Sequence, residues 1–201
     1  MLTSSEYKSL ARANLKGNWT FPVLTVLVYV LFSLTSEIPM VGFLIALCIL
    51  LPMRYTYKQL FLEFKRGERD NMVGRLFGFF KHYTTAFATA FMVALYTFLW
   101  SLLLVIPGII KAISYSQTYY IAKDYPEYSV DQCIEASMAM MRGHKGEYFM
   151  LFLSFIGWIL LGILTCGIAL LWVCPYMEVT FAHYYEDLKQ EHPVEMKPEF
   201  A

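Results

Sequence analysis

Three charged side chains follow prolines closely in otherwise apolar segments, and these positions suit chemistry inside a helix bundle. Each lies two to four residues beyond its proline: Arg54 after Pro52, Lys111 after Pro107 and Glu178 after Pro175. Charges at membrane depth are costly and are usually paired or functional. We therefore expect an intramembrane polar site in which Lys111 and Glu178 pair. The alternative is that the two side chains reach the membrane interface separately.

Residue patterns typical of catalytic or metal sites are missing from the sequence. The histidines form no H-E-x-x-H or E-x-x-H pattern: His82, His144, His183 and His192. The cysteines form no C-x-x-C pair: Cys48, Cys133, Cys166 and Cys174. G-x-S-x-G and P-loop motifs are also absent. We therefore predict no metal site, no cofactor and no enzymatic activity.

The composition excludes an ordinary soluble domain. Of the 201 residues, 58% are hydrophobic and only 16% are charged, whereas soluble domains carry about 25% charged residues. A soluble fold of this length has too much surface in water to hide so many apolar side chains. The protein is therefore predicted to be a multi-pass membrane protein whose partner is the lipid bilayer, and a nucleic-acid-binding module is excluded.

The apolar stretches predict six spanning helices in three hairpins. A span needs about 20 apolar residues, and four stretches are long enough: 19–36, 40–63, 84–122 and 148–185. The last two hold two spans each, with turns expected around Thr97–Ser101 and at Thr165–Gly167, and Ser36–Pro39 joins the first two spans. The predicted fold is all-α and polytopic, with one transmembrane domain over residues 1–188 and a polar tail over 189–201.

Charge placement favours six spans and sets the orientation. With six spans, all 16 basic residues fall on or toward one side, and Glu37 is the only charge in the opposite turns. Because basic loops face the cytoplasm, both termini are predicted to be cytoplasmic. A four-span alternative would instead place the basic loop 124–147 outside.

Short amphipathic segments precede each hairpin and carry helix-capping signals. Thr3 and Glu6 have the spacing of a capping box, as have Ser129 and Gln132. Gly17 and Gly143 suit the ends of the first and third segments, and the second segment follows Asp70 or Asn71. These segments are predicted to be interfacial helices on the cytoplasmic side.

The order of amphipathic helix, span, turn and proline-containing span occurs three times. It suggests repeats over 1–66, 70–124 and 129–188, although chance similarity between apolar helices is the alternative. Prolines at 52, 107 and 175 are expected to kink the second helix of each hairpin. The carbonyls they free, at Cys48, Leu103 and Leu171, then need other partners. Such kinks either form one shared inner wall or only shape helix packing.

A basic cluster lies between the second and third spans. Its members are Lys65, Arg66, Arg69 and Arg75. Basic side chains beside the inner leaflet attract anionic lipid by about 1 kcal/mol each. We predict anionic-lipid contacts for these residues, and the alternative is that they only determine topology.

Several longer motifs resemble a bacterial integral-membrane family, the domain-of-unknown-function family numbered 975. They are spread along nearly the whole chain: Ala11–Trp19, Ile106–Ser129, Met140–Lys145, Leu153–Trp158 and Pro175–Met177. The resemblance implies a multi-pass protein of the bacterial cytoplasmic membrane. It implies no activity, so it assigns no site residue.

Two functions are favoured by these patterns, and an intramembrane enzyme is the least favoured alternative because no catalytic constellation is visible. The first is transport or sensing of a small solute or lipid through a bundle of kinked helices. The second is a non-catalytic scaffold that organises the membrane. The sequence identifies neither a substrate, nor a protein partner, nor an oligomeric state.

Overall fold

A computed structural model describes residues 2–34, 42 and 45–191, except for the side chain of Leu103. Every regular element in this part of the chain is a helix, as predicted. The helices are α1 (Ser4–Leu15), α2 (Thr20–Leu34), α3 (Leu51–Lys65), α4 (Met72–Leu76), α5 (Tyr83–Leu103), α6 (Val105–Ser114), α7 (Thr118–Asp124), α8 (Val130–Met140), α9 (Lys145–Leu153), α10 (Ile156–Leu164) and α11 (Leu170–Glu191). A π-helical turn, Ala46–Leu50, precedes α3, and a 3-10 helix, Phe77–Phe80, follows α4.

Two predicted positions lie outside the described residues. These are the turn at Ser36–Pro39 and the residues that follow Glu191 in the polar tail. Helix α11 continues through Lys189 to Glu191.

The capping signals start the amphipathic helices as predicted. Thr3 and Glu6 form a capping box on α1, and Ser129 and Gln132 form one on α8. The Asn71 side chain accepts a hydrogen bond from the first turn of α4. Local side-chain chemistry thus determines where these helices begin.

Helix α1 lies across the direction of α2. Gly17, at φ +80°, ends α1 in the left-handed region that favours glycine. The chain then turns by 101° into α2. On its buried face, α1 packs Tyr7, Ala11 and Leu15 against the rest of the protein, principally α11.

The break predicted in the third hairpin is confirmed. Cys166 and Gly167 have φ of +51° and +88°. Gly167 N–H donates to the Gly162 carbonyl over 2.8 Å, and Ala169 N–H donates to Thr165 Oγ1 over 3.1 Å. These bonds satisfy backbone groups left open where α10 ends and α11 begins.

The turn predicted around Thr97–Ser101 is wrong. Helix α5 continues unbroken to Leu103, and the chain reverses at Leu104, which is extended with φ −162° and ψ 145°. Helix α6 then folds back so tightly that a Cβ on Gly108 would lie 2.7 Å from Ser101 Cα.

The three prolines are accommodated differently, so the prediction of three equivalent kinks is wrong at Pro107. Pro107 lies in the first turn of α6, where the missing N–H costs no helical hydrogen bond. Pro175 is inside α11. Pro52 follows the π-helical turn, and the Tyr83 hydroxyl donates to the Cys48 carbonyl over 3.0 Å. The predicted need of that carbonyl for another partner is thus confirmed.

Two helical segments are long and apolar enough to cross a membrane. They are Tyr83–Leu102 and Lys145–Leu164, and the bent pair α1–α2 is a third if it counts as one span. Large apolar side chains are strongly exposed near the turns of the second and third hairpins, including Leu102 at 74%, Ile106 at 71% and Leu164 at 80%. Exposed apolar surface of this kind marks a place that contacts a membrane or another protein.

Removing the Tyr83 hydroxyl tests how the chain compensates for Pro52. We expect Tyr83→Phe to lower the free energy of unfolding in detergent by about 1 kcal/mol, because the Cys48 carbonyl loses its donor. In a Pro52→Ala background, residue 52 has a backbone N–H that can donate to the Cys48 carbonyl. Tyr83→Phe should then lower the free energy of unfolding much less. An equal cost in both backgrounds would show that the hydroxyl does not compensate for the proline.

Candidate functional site: a polar centre and an inner charge network

The second helices of the three predicted hairpins converge at one place. Helix α3 packs against both α7 and α11. Gln59 on α3 donates to the Tyr119 carbonyl on α7 over 3.3 Å, and the rings of Tyr120 and Tyr185 lie 5.1 Å apart between α7 and α11. Polar side chains on these helices therefore lie within reach of one another.

An ion pair between α3 and α11 forms the middle of this region. Lys58 Nζ lies 2.9 Å from Glu178 Oε1 and 2.7 Å from Oε2. The two side chains are only 17% and 14% exposed. A pair this buried is sensitive to the loss of one partner, because the remaining charge is left without compensation.

The predicted pair of Lys111 with Glu178 is wrong. Lys111 Nζ instead lies 4.6 Å from the ring centroid of Trp100 and 3.9 Å from the sulfur of Met138. The physical reason is the reversal at Leu104, which lays α6 back along α5 and turns Lys111 toward Trp100. Glu178 is bound by a residue that the sequence did not single out.

The Glu178 carboxylate interacts electrostatically with three tyrosine phenols, those of Tyr57, Tyr120 and Tyr148. We call the Lys58–Glu178 pair and these three phenols the polar centre. Arg54, which is exposed on α3, interacts electrostatically with Tyr148 as well. Arg54 and Glu178 thus share an electrostatic interaction with one phenol, whereas Lys111 lies against Trp100.

Several buried polar atoms on α7 and just before it have no hydrogen-bond partner among the described residues. They are the Tyr120 hydroxyl, Gln117 Oε1 and Thr118 Oγ1. The Tyr120 side chain is 1% exposed, and Gln117 and Thr118 are completely buried. Leaving such a group unpaired costs about 1–3 kcal/mol. Because unpaired buried groups are few in native structures, these atoms mark a place where a partner is expected.

A second group of charges lies at the C-terminal ends of the same helices. Arg66 binds Asp124 through two hydrogen bonds of 2.6 and 2.7 Å, and its Nε donates to Glu186 over 2.6 Å. Lys189 Nζ and the Tyr185 hydroxyl donate to Asp124 over 2.6 and 2.9 Å. We call these five residues the inner charge network, which joins the ends of α3, α7 and α11.

The electrostatics of Asp124 follow from these donors. Burial opposes ionisation of the carboxyl, but hydrogen bonds from Arg66 and Lys189 outweigh it and hold the pKa below its usual range. The Asp124 side chain is only 5% exposed, so Asp124 is an internal ion-pair partner and not a solvated loop carboxylate.

The basic cluster is largely occupied by carboxylates of the protein itself. Arg66 belongs to the inner charge network, Arg75 bonds Glu63 and Glu68, and Lys65 lies 3.8 Å from Glu186. Arg69 instead stacks over the ring of Phe64, 5.4 Å from its centroid. Contact of these four residues with anionic lipid stays a prediction.

Sequence reasoning missed Lys58 and the structural role of Asp124. A signal for Asp124 existed in the repeat pattern, whereas none pointed to Lys58. Arg66 and Asp124 are the last residues of the first two predicted repeats, and Lys189 directly follows the third. If the repeats run parallel, their equivalent ends lie on the same side of the protein. Opposite charges at those ends can therefore pair.

Residues 101–192 match a family model described as "Protein of unknown function (DUF975)". The chain resembles this family. The prediction of that resemblance is confirmed over α6–α11, which include Asp124 and Glu178. No curated protein and no solved structure matches the sequence. Among the described residues, no group of three or more histidine, cysteine or acidic side chains is arranged to hold a metal ion.

The Lys58–Glu178 pair predicts strong coupling in a double-mutant cycle. Lys58→Met and Glu178→Gln should each lower the free energy of unfolding by about 3 kcal/mol, because each leaves one poorly solvated charge alone. The double variant should recover about 2 kcal/mol of the summed loss. Lys111→Met is the matched control, since its effect should add to that of Glu178→Gln. Coupling to Lys111 instead of Lys58 would contradict the pairing described above.

Proposed function

We propose that this is a multi-pass protein of the bacterial cytoplasmic membrane that binds a small polar solute or lipid headgroup at the polar centre, as a transporter or sensor. Its six membrane segments form three hairpins, and both termini are cytoplasmic. Helices α3, α7 and α11 surround the binding position.

The membrane part of this proposal is supported by the helices themselves. Two segments have the length and apolarity of spans, and the hairpin ends carry exposed leucine and isoleucine side chains. The inner charge network lies at the opposite ends of α3 and α11, where the positive-inside rule places the cytoplasm.

The binding part rests on one observation, the unpaired and fully buried hydroxyl of Tyr120 near the Lys58–Glu178 pair. Burying a hydroxyl without a hydrogen-bond partner costs free energy of folding, and a bound ligand would supply the missing hydrogen bond. Gln117 and Thr118 add unpaired oxygens to the same part of the chain. Together they suit a ligand that both donates and accepts hydrogen bonds.

A second candidate function is the scaffold, and the inner charge network favours it. Five side chains on three helices are held by hydrogen bonds of 2.6–2.9 Å. Such a network resists relative movement of the helices, which suits a protein that organises its neighbours more than one that alternates between conformations.

Thiol labelling in intact cells tests the six-span arrangement. With the other native cysteines replaced by alanine, we expect Cys166, exposed in the turn between α10 and α11, to react with an impermeant maleimide from outside. A cysteine at Glu127 in a chain lacking native cysteines should react only after permeabilisation. Labelling of the Glu127→Cys variant from outside would instead support four spans.

Hydroxyl-radical footprinting of the native protein tests the polar centre. If solute enters it, water enters too, so oxidation of Tyr120 should exceed that of Tyr185. Tyr185 is the matched control for Tyr120, since the two side chains are 0% and 1% exposed and their rings lie 5.1 Å apart. Equally low oxidation of both would contradict a solute site and favour the scaffold.

A further inference from the structure

Three basic residues form a stripe along α1. Lys8, Arg12 and Lys16 are spaced by four residues, so they lie one above another on a single helical face. The buried face of the helix is formed by Tyr7, Ala11 and Leu15 instead. The stripe is therefore a surface feature that packing of α1 does not explain.

Lys8 and Arg12 lie against the start of α10 and against α11. Lys8 Nζ donates to the Ser154 carbonyl and lies 4.3 Å from the ring centroid of Phe155. The guanidinium of Arg12 lies 5.3 Å from the ring centroid of Tyr176. Aromatic faces and one carbonyl hold the two cations in fixed positions.

These two cations have no carboxylate partner among the described residues, in contrast to Lys58, Arg66 and Arg75. They also interact with each other as like charges. An anion between them would remove this repulsion and accept hydrogen bonds from both. Because the arginine fork and the lysine ammonium are the usual ligands of phosphate oxygens, phosphate chemistry fits best.

Exposed apolar side chains border the two cations. Phe152, Ile156 and Trp158 flank the Ser154–Phe155 break and are 42%, 43% and 39% exposed. The Trp158 ring also contacts Tyr176, with centroids 6.4 Å apart. A ligand with a phosphate at one end and hydrocarbon at the other matches this border, whereas free phosphate would use only its polar part.

We propose that the phosphodiester of an anionic phospholipid binds between Lys8 and Arg12, with its acyl chains along Phe152 and Ile156. The site uses α1 as an interfacial helix, which its 101° angle to α2 suits. This inference rests on the membrane placement proposed above but not on solute binding at the polar centre. It adds a lipid contact on the N-terminal helix to the contacts predicted for the basic cluster.

The test compares lipid binding to the full-length chain in nanodiscs of phosphatidylcholine with and without phosphatidylglycerol. We expect Lys8→Gln/Arg12→Gln to lower the affinity for phosphatidylglycerol about 30-fold, since each basic residue near an anionic headgroup contributes about a fivefold factor. Native mass spectrometry of retained lipid measures the change. Lys8→Arg/Arg12→Lys should keep most of the affinity because both charges remain.

Lys81→Gln/Arg142→Gln is the matched control, because it removes the same charges at two exposed positions outside the stripe. Its affinity should stay within about twofold of the parent. Equal losses in both double variants would overturn the proposal in favour of general surface attraction. Unchanged lipid retention in Lys8→Gln/Arg12→Gln would overturn it as well.

Two further measurements separate the possible failures. Inorganic phosphate added to lipid-free protein in detergent should not raise the thermal midpoint, and a rise that depends on Lys8 and Arg12 would assign the site to free phosphate. A parent chain that fractionates with the cytosol would defeat the proposed membrane function. By contrast, a parent and variant that are equally membrane-bound, with the same lipid preference, would defeat only the lipid site.

Discussion

The arrangement of the three central helices depends on Asp124. Its nearly buried carboxylate accepts two hydrogen bonds from Arg66, one from Lys189 and one from Tyr185. Such a charge is tolerated only when every lone pair facing the interior is satisfied. Because the donors come from α3 and α11 while the acceptor ends α7, satisfying this one group determines the relative positions of all three helix ends. The Lys58–Glu178 pair lies farther back along α3 and α11, so its geometry follows from the same constraint.

The prolines illustrate how one residue type has different consequences in similar sequence contexts. Each removes a backbone donor, but the cost depends on whether the chain is already helical before it. At Pro107 the chain has just reversed, so no bond is lost. At Pro52 the preceding turn widens to a π-helix, and the Tyr83 hydroxyl bonds the Cys48 carbonyl. Similar local motifs are thus compatible with different backbones, which leaves the threefold repeat a prediction.

Features encoded by neighbouring residues were predictable from the sequence. The capping boxes at Thr3 and Ser129 and the left-handed break at Cys166–Gly167 depend on contacts within a few residues, and all were confirmed. The reversal at Leu104 was missed, because no glycine or polar residue stands at the turn itself and the close approach of Gly108 to Ser101 is a tertiary contact. That one error in turn placement also explains why Lys111 was paired with the wrong residue. Pairing is a tertiary property, and a shift of the turn changes which face each side chain occupies.

Two groups of basic residues differ in how they are held. Lys58, Arg66, Arg75, Lys123 and Lys189 each bind a carboxylate of the protein and so join its helices. Lys8 and Arg12 are instead held by aromatic faces and a carbonyl, which orient a cation without neutralising it. Net charge alone does not distinguish these groups, since the chain is neutral overall. A cation of the second kind retains its attraction for an external anion, and for this reason the proposed lipid site lies on α1 and not among the ion-paired residues of the inner charge network.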